Sequence, residues 1–589
     1  MGRSSGVGSV TLLKEAASYI VECDATHGTV RASPLQRTRR AMRIGDAMEW
    51  HLDRETGAKG VRALAAFACA LLGLAGAGAI RAQTIEQGTL QLEWGDPARP
   101  APGRARLAPR FNAHLVKDDG SRIVLDPVQA RRAAGDLYVL ANRRVAVAFA
   151  APGTTKSTAR TIEAIVPADR TTQYSPVHAA GARVMAAAPV GGTTRWVTLM
   201  CKFSDIGTEQ KTQAFFQSQY GEGVGQLGHY WREVSYDKIN LTGSSAYGWF
   251  TLPQPRSHYV TEENGEDKAD LKKLFADCGA AADATVDFNS VQGVNMMFNG
   301  DLDGYAWGGG MCAPLEGRSN FCTRATWNPP WSFSNLAPLA HEMGHGYGLP
   351  HSDNSDGDSD TYDNPWDVMS DGWYNAVSDS TYGTRPKHIN VFQRHRLSWV
   401  DGARQQIIVL GDLATRDIAL DYAHLAGSGN VQMLVLSLSP QADPYATVVY
   451  TLEARKREGP YEGALAGDAV IIHKVQASGT AYSIDADVPP ANRANNEGSM
   501  FKVGERWVTP EGSHAITVKA KTATGFVVTV GPPRAMSSPL PPLVRPAQVS
   551  ASSSPTRSTP AIPVRGRKPP ERCGGVRGAT SPQCAMRER

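Results

Sequence analysis

One eleven-residue string limits what this 589-residue chain can fold into more than anything else in it: His341-Glu342-Met343-Gly344-His345-Gly346-Tyr347-Gly348-Leu349-Pro350-His351. His341 and His345 are four residues apart, so on a helix both imidazoles leave one face, with Cβ atoms about 5–6 Å apart. That spacing lets both rings reach one tetrahedral zinc ion at about 2.0–2.1 Å. Glu342, beside the first ligand, can address a water on the metal without taking a coordination position. Gly348 can end the helix in a backbone conformation that strains other residues. The chain can then turn back and deliver His351 as third ligand. Three protein ligands leave a fourth position for water, which separates a catalytic zinc site from a closed structural one. The chain has 14 His. His-Glu-x-x-His is then expected by chance on the order of 0.01 times in a chain of this composition, and the longer string on the order of 10⁻⁵ times.

A second segment, Trp366-Asp367-Val368-Met369-Ser370, puts Met369 18 residues after His351, where its side chain is expected as a hydrophobic bed beneath the zinc. Taken together, the extended histidine string and the downstream methionine turn resemble the metzincin clan of zinc endopeptidases. More narrowly, the chain resembles the secreted metallopeptidases related to immune inhibitor A and gametolysin. The likeness runs through 197–203, 230–252, the zinc helix, 366–372, 386–400 and 450–475, about half of the chain. One position departs from the first of these relatives: immune-inhibitor-A-like enzymes usually place an aspartate where this chain has His351, which is nearer the gametolysin pattern. The resemblance implies a metzincin-like catalytic domain, a twisted sheet plus a zinc helix, with a peptide carbonyl bound over zinc along an edge strand near 304–310. The expected reaction is hydrolysis of a peptide bond by a zinc-activated water, with Glu342 as general base that returns the proton to the leaving amine.

The rest of the chain frames that domain. From 84 to 166, short apolar runs such as Arg144-Val145-Ala146-Val147-Ala148-Phe149 alternate with turn signals such as Asp118-Asp119-Gly120. Residues 83–166 therefore read as a β-rich domain, either a pro-domain that covers the cleft (making the protein a zymogen) or a permanent accessory domain. The segment has no cysteine, so latency through a thiolate on zinc is excluded for it. A linker, 167–193, carries Arg170 and Arg183 as a processing zone. Residues 194–402 form the peptidase domain, with a strand at Trp196-Val197-Thr198-Leu199-Met200-Cys201, a long helical stretch over 208–235 and a strand or hairpin over 239–252. A helix over 266–280, a strand over 294–298, the zinc helix over 335–346 and a helix over 387–400 complete it. Residues 403–531 return to β alternation and read as a C-terminal β-sandwich. The predicted fold class is α+β, multidomain. Asp353, Asp356, Asp358 and Asp360, with Asp363, crowd the segment after the third histidine. Such oxygens suit Ca²⁺, although no EF-hand string is present and a solvated acidic loop accounts for them equally. Trp307, Trp327, Trp331, Trp366 and Trp373 flank the site in sequence and read as core or cleft wall.

Composition, 41% hydrophobic and 20% charged, excludes a wholly disordered or polytopic membrane protein. The net charge of +4 is unevenly spread: 1–82 hold 11 basic and 7 acidic residues, 532–589 hold 10 and 2, and the body between holds 40 and 48. An acidic body argues against nucleic-acid binding. Lys59 and Arg62 precede an apolar run over 63–80 and small residues at Ala77-Gly78-Ala79 and Ala82, the order of a secretory signal at 59–82. Residues 1–58 then read as an upstream extension, with translation starting at Met42 or Met48. A secreted or extracellular location follows, with a periplasmic or signal-anchored protein as the alternative, and no stable membrane insertion. The tail, 532–589, has 12 prolines and the composition of a disordered segment. Four of the eight cysteines lie in the body, Cys201, Cys278, Cys312 and Cys322. They allow three connectivities, of which Cys312–Cys322 is the preferred local pair. The implied partner is a protein or peptide substrate, and no residue pattern fixes an oligomeric state. Two other functions stay open: a surface- or glycan-binding secreted protein with a secondary metal site, and a zinc hydrolase of non-peptide bonds. Glu342 favours the enzyme, because a structural zinc site has no use for that base.

Overall fold

The run Trp196–Lys202 is buried on both of its faces, as expected for a strand in the middle of a covered, largely parallel sheet. The computed structural model describes residues 84–100, 106–150, 160–169 and 189–533, apart from 359, 428, 440–446 and 489–496. Beyond these it describes only the strands Gly8–Lys14, Ala17–Asp24, Thr29–Pro34 and Arg545–Pro546. The expected signal at 59–82, Arg170 and Arg183 of the linker, and nearly all of the tail lie outside the described residues. Two units divide the chain, Met1–Ile80 and Arg81–Arg589. The three N-terminal strands form an antiparallel sheet in the first; everything below concerns the second.

Ten strands of the second unit make one mixed sheet. They are β1 (Thr84–Pro97), β2 (Arg110–Val116), β3 (Arg122–Leu125), β4 (Arg144–Phe149) and β5 (Ile162–Pro167). Then come β6 (Trp196–Lys202), β7 (Ser245–Thr251), β8 (Gly293–Phe298), β9 (Tyr305–Leu315) and β10 (Arg318–Asn328). The order is β7-β6-β8-β10-β9-β1-β2-β3, with β4 paired to β1 and β5 to β4. Strands β7, β6, β8 and β10 run parallel, and β9 runs antiparallel to β10. The 83–166 region is thus joined to the central sheet through β1 against β9. It also keeps a core of its own, with Leu90, Leu92, Trp94, Leu115, Val147 and Ile165 among its buried residues, and a helix, α1 (Pro127–Ala134), started by the Asp126 carboxylate accepting from the Gln129 amide.

Both faces of the central sheet are covered. On one, α4 (Leu271–Ala282) packs Leu274, Phe275 and Cys278 against Leu199, Met296 and Trp327. On the other lie α2 (Gln213–Gln219), α3 (Leu227–Val234) and α5 (Leu336–Gly346), whose Phe216, Trp231, Leu339 and Met343 share a core with Trp196 and Trp399. The long helix expected over 208–235 is two helices. Gly221, Gly223 and Gly225 interrupt it, and Gly225 takes φ +84°, which a continuing helix cannot accommodate. The helix expected over 387–400 is confined to α6 (Val391–Arg396), capped by the Asn390 side chain on the Gln393 amide.

A six-stranded and a four-stranded sheet make up the C-terminal region. The first contains β11 (Ser352–Asn354), β12 (Gln405–Ile408), β14 (Met433–Ser437), β15 (Val449–Arg455), β16 (Ala469–Val475) and β17 (Ala481–Ser483). The second contains β13 (Arg416–Asp421), β18 (Arg506–Val508), β19 (Ala515–Lys521) and β20 (Gly525–Gly531). Leu434, Leu452 and Ile472 of one sheet and Leu420, Val518 and Val528 of the other bury into one core. Strand β11, just after His351, belongs to this first sheet, so the C-terminal region reaches to the edge of the histidine site. Disulfides link Cys312 to Cys322 across β9 and β10, and Cys201 of β6 to Cys278 of α4. Among the described residues no helix is long and apolar enough to cross a membrane.

Candidate metal centre

All eleven residues of α5 are buried, so this helix is held by packing on every side rather than by an amphipathic stripe. His341 and His345 leave it one turn apart, with Nε2 atoms 3.0 Å from each other. The helix stops at Tyr347; Gly348 follows at φ +88° and donates its amide to the His345 carbonyl, while the Leu349 amide turns back to Gly344. That left-handed residue reverses the chain and brings His351 Nε2 to 3.2 Å from His345 Nε2. Met369 is fully buried under the same helix. It sits so close that a Cβ on Gly344 would collide with its sulfur.

The hydrogen bonds behind the rings fix what the rings can do. His341 Nδ1 lies 2.6 Å from the Val368 carbonyl and His345 Nδ1 2.7 Å from the Leu349 carbonyl. A carbonyl only accepts, so each Nδ1 carries a proton, and in the neutral form of the ring each Nε2 then offers a lone pair inward. Lone pairs converging in a buried space repel unless a cation sits between them. This is the arrangement that metal-ligating histidines show, with the far nitrogen anchored to backbone.

A fourth donor comes from far away in sequence. Asp96, near the end of β1, places Oδ1 2.7 Å from His351 Nε2 and Oδ2 3.2 and 3.5 Å from Nε2 of His345 and His341. Asp96 Oδ2 is buried and accepts no hydrogen bond among the described residues. Four donors held at about 2.0–2.1 Å from a tetrahedral centre would lie about 3.3–3.4 Å apart; the observed separations bracket that value. The donor set fits a metal ion, and Asp96, His341, His345 and His351 are all buried around the position it would take.

Electrostatics mark the same point. Burial works against the Asp96 charge, yet His351 and His341 outweigh it and hold its carboxyl well below the usual range. Burial drives His345 down to about 3 despite Asp96. Burial first, and then the neighbouring Asp96 charge, push Glu342 well above the usual carboxylate range. Glu342 Oε2 has no hydrogen-bond partner among the described residues and faces a cavity of ≈ 30 Å³ also lined by Asp96, His341, Tyr362, Trp331 and Trp373. That is room for about one water. The Tyr362 hydroxyl donates to Asp96 Oδ1, and the Trp94 ring stacks on His345 at 4.7 Å between centroids with 4° between planes.

The structure therefore brings together His341, Glu342, His345, His351 and Met369 as the spacing predicts, and adds Asp96 and Tyr362, which sequence reasoning missed. A signal for Asp96 existed: Leu90, Leu92, Trp94 and Asp96 alternate with period two, and all four are buried. A carboxylate continuing an apolar strand face needs a cationic partner. Of the acidic loop, Asp356, Asp358 and Asp363 bring carboxylate oxygens within 4.8 Å of one another. Asp353 and Asp360 are not in that trio. Burial and the neighbouring carboxylates, Asp363 first, push Asp353 up to about 8. Of the flanking tryptophans, Trp331 and Trp373 line the small cavity, and Trp307, Trp327 and Trp366 are core. No family model matches the chain, and no curated protein or solved structure proved similar to it.

Proposed function

We propose that the chain is a zinc-dependent endopeptidase of metzincin type, acting outside the cytoplasm. One observation carries the reading: three histidine Nε2 atoms converge beside buried Glu342, whose Oε2 has no hydrogen-bond partner among the described residues, next to the antiparallel strand β9 of the central sheet. Three imidazoles suit zinc, which when bound would acidify water and polarise the scissile carbonyl. The residues of the chain do the rest. Glu342 takes a proton from the attacking water in the small cavity and hands it to the leaving amine. The Val368 and Leu349 carbonyls hold His341 and His345 in one tautomer and orientation. Strand β9 runs beside this site and pairs through its backbone with the extended strand β1, a geometry that an extended peptide can also adopt and that favours a peptide over other hydrolysable substrates. Two disulfides suit an oxidising compartment.

A Glu342→Gln protein should keep its metal but cleave casein about 10²–10⁴-fold more slowly. Full cleavage by that variant, with metal content equal to wild type by mass spectrometry, would overturn the mechanism. Digestion of a peptide library with and without a zinc chelator separates a peptidase from a hydrolase of other bonds.

A further inference from the structure

A second and larger cavity, ≈ 610 Å³, has His351 in its wall and is built from three separate stretches of the chain. Its volume falls in the range of about 300–1,000 Å³ that is usual for ligand sites. Phe111 and Tyr138 form one wall with Trp94, their ring centroids 5.2 to 6.1 Å apart. Helix α1 ends beside them in Arg131 and Arg132, and the Arg131 guanidinium lies 5.3 Å from the centre of the Phe111 ring. A further wall comes from the C-terminal region. Asp353 of β11 and Tyr482 of β17 are cross-strand partners, so their side chains leave one face of that sheet, and both line the cavity. Gln476, Ser478 and Thr480 line it from the turn between β16 and β17. Val128 and Arg132 on the lining are exposed, so the space opens to solvent.

The charges on this lining select the ligand. Arg110 is already paired, 3.0 Å from both Asp303 and Glu266. Arg131 and Arg132 enter no ion pair among the described residues, and Asp353 Oδ1 is buried without a hydrogen-bond partner among them. Burial raises the Tyr482 hydroxyl to about 12, Asp353 adds to the rise and Arg131 opposes it, which places both charges within electrostatic reach of one hydroxyl. Opposite charges that share a partly enclosed space without touching are each left desolvated and unmet. An acid alone would satisfy the guanidiniums but face Asp353. A cation alone would do the reverse, and a neutral ligand would leave both unmet. Only a ligand carrying both signs meets the whole lining.

We propose that this cavity binds a short peptide segment with an acidic and a basic side chain close together, its carboxylate held by Arg131 and Arg132 and its ammonium by Asp353. Planar guanidinium groups suit a carboxylate through paired hydrogen bonds, and Asp353 Oδ1 is free to accept from an ammonium. The rings of Phe111 and Tyr138 cover the aliphatic stems, while Gln476, Ser478 and Thr480 offer hydrogen bonds to a main chain. Because His351 belongs to the wall, the bound segment is the flank of a substrate. That role rests on the peptidase reading, whereas the binding rests on the cavity alone.

The test is calorimetric titration of the full chain, as Glu342→Gln so that nothing is consumed, with four acetylated and amidated hexapeptides. One carries a single Lys and a single Glu, two have one of these replaced by Gln, and the fourth has both replaced. The mixed-charge peptide should bind at least about tenfold more tightly than either singly charged one. Adding Arg131→Ala with Arg132→Ala should abolish the gain from Glu alone, and Asp353→Asn the gain from Lys alone. Should the double arginine variant fail to fold by circular dichroism, Arg132→Ala, at an exposed position, supplies the comparison. Equal affinity for all four peptides overturns the proposal, and so does a preference for Glu that survives loss of both arginines. Tight binding of tetragalacturonate with no binding of any peptide also overturns it, in favour of an acidic glycan. Wild type should cleave the mixed-charge peptide with kcat/KM about tenfold above the neutral one. Charge-selective binding without cleavage upholds the site and overturns the peptidase reading. Cleavage with no charge preference in binding or rate upholds the peptidase reading and overturns the site.

Discussion

Tyr362 donates its hydroxyl to the same Asp96 oxygen that faces His351. A carboxylate offers two oxygens on one carbon, much as a tetrahedral intermediate of peptide hydrolysis does. Under the proposed peptidase reading, a substrate carbonyl taking the place of the Asp96 carboxylate would meet the same hydroxyl, which would donate to its developing oxyanion. In the Asp96→Ala background, Tyr362→Phe should lower kcat/KM by about 10²–10³-fold with metal content unchanged. An unaltered kcat/KM would assign the hydroxyl to holding Asp96 alone. At this scale the sequence was legible wherever the chemistry is local. His341, Glu342, His345, Gly348 and His351 follow from helical periodicity and one turn, and Met369 from its place after them. Asp96 lies 255 residues before His351, and no spacing rule reaches across such a distance. What alternation reveals is that Asp96 is buried, not what it is buried against. Tyr362 was hidden for the same reason, since its role exists only relative to Asp96.

Among the elements, α5 shows how one residue can decide whether a helix makes a site. Gly348 sits at φ +88°, a region in which an L side chain costs roughly 1–2 kcal/mol. In Gly348→Ala that strain is relieved by shifting the reversal that carries His351. The variant should therefore lose about 1–2 kcal/mol of stability and a larger share of metal affinity, on the order of tenfold or more. Gly348→Asn should fall between, because asparagine tolerates the left-handed region better than alanine. Calorimetry with metal titration reads both quantities, and a variant with lowered stability but intact affinity would detach the turn from the site. The elements themselves were read with mixed success. Strands β6 and β8 and helix α5 lie where their apolar runs put them. The stretch over 208–235 read as one helix because Phe215, Phe216, Tyr220, Leu227 and Trp231 keep helical spacing. Yet three glycines within five residues, Gly221 to Gly225, give the backbone a cheaper way to turn. The small β-rich region was recognised as such, but alternation says which face of a strand is buried and not which edge it pairs with. The union of β1 with β9 was therefore invisible.

For the whole molecule, the C-terminal sheets grip the histidine site through buried charge. Arg455 of β15 is fully buried; its guanidinium donates to the Trp366 carbonyl at 2.7 Å and pairs with Glu453 and Glu462. His388 lies between Glu462 and Glu233 of α3, 3.5 and 2.8 Å away, and Arg394 faces the same cluster. Burial opposes the Glu462 charge, but Arg455 and then His388 overcome it and hold the carboxyl at about 2. The unfolded chain would bind a proton there near the ordinary glutamate value of about 4.3. The unfolded state thus binds more protons than the folded state between those two values, and stability rises with pH across that window. Glu462 accordingly stabilises the fold fully above about pH 4.5 and loses that contribution as the pH falls toward 2, a change on the order of 3 kcal/mol. Glu453 works the other way: burial, only partly offset by Arg455, raises it, so its own effect weakens the fold as pH rises past the ordinary glutamate range. The two can be separated. Glu462→Gln should lower stability near pH 6 and flatten the acid limb between pH 2 and 4.5, read by urea unfolding at each pH through tryptophan fluorescence. Trp366 is a suitable reporter, since it is buried at this junction and its indole donates to Ser499 at 2.8 Å. An acid limb as steep in Glu462→Gln as in wild type would place the acid sensitivity elsewhere. It would also remove the argument that this cluster is what holds the methionine turn, and with it the floor of the metal site, to the C-terminal sheets.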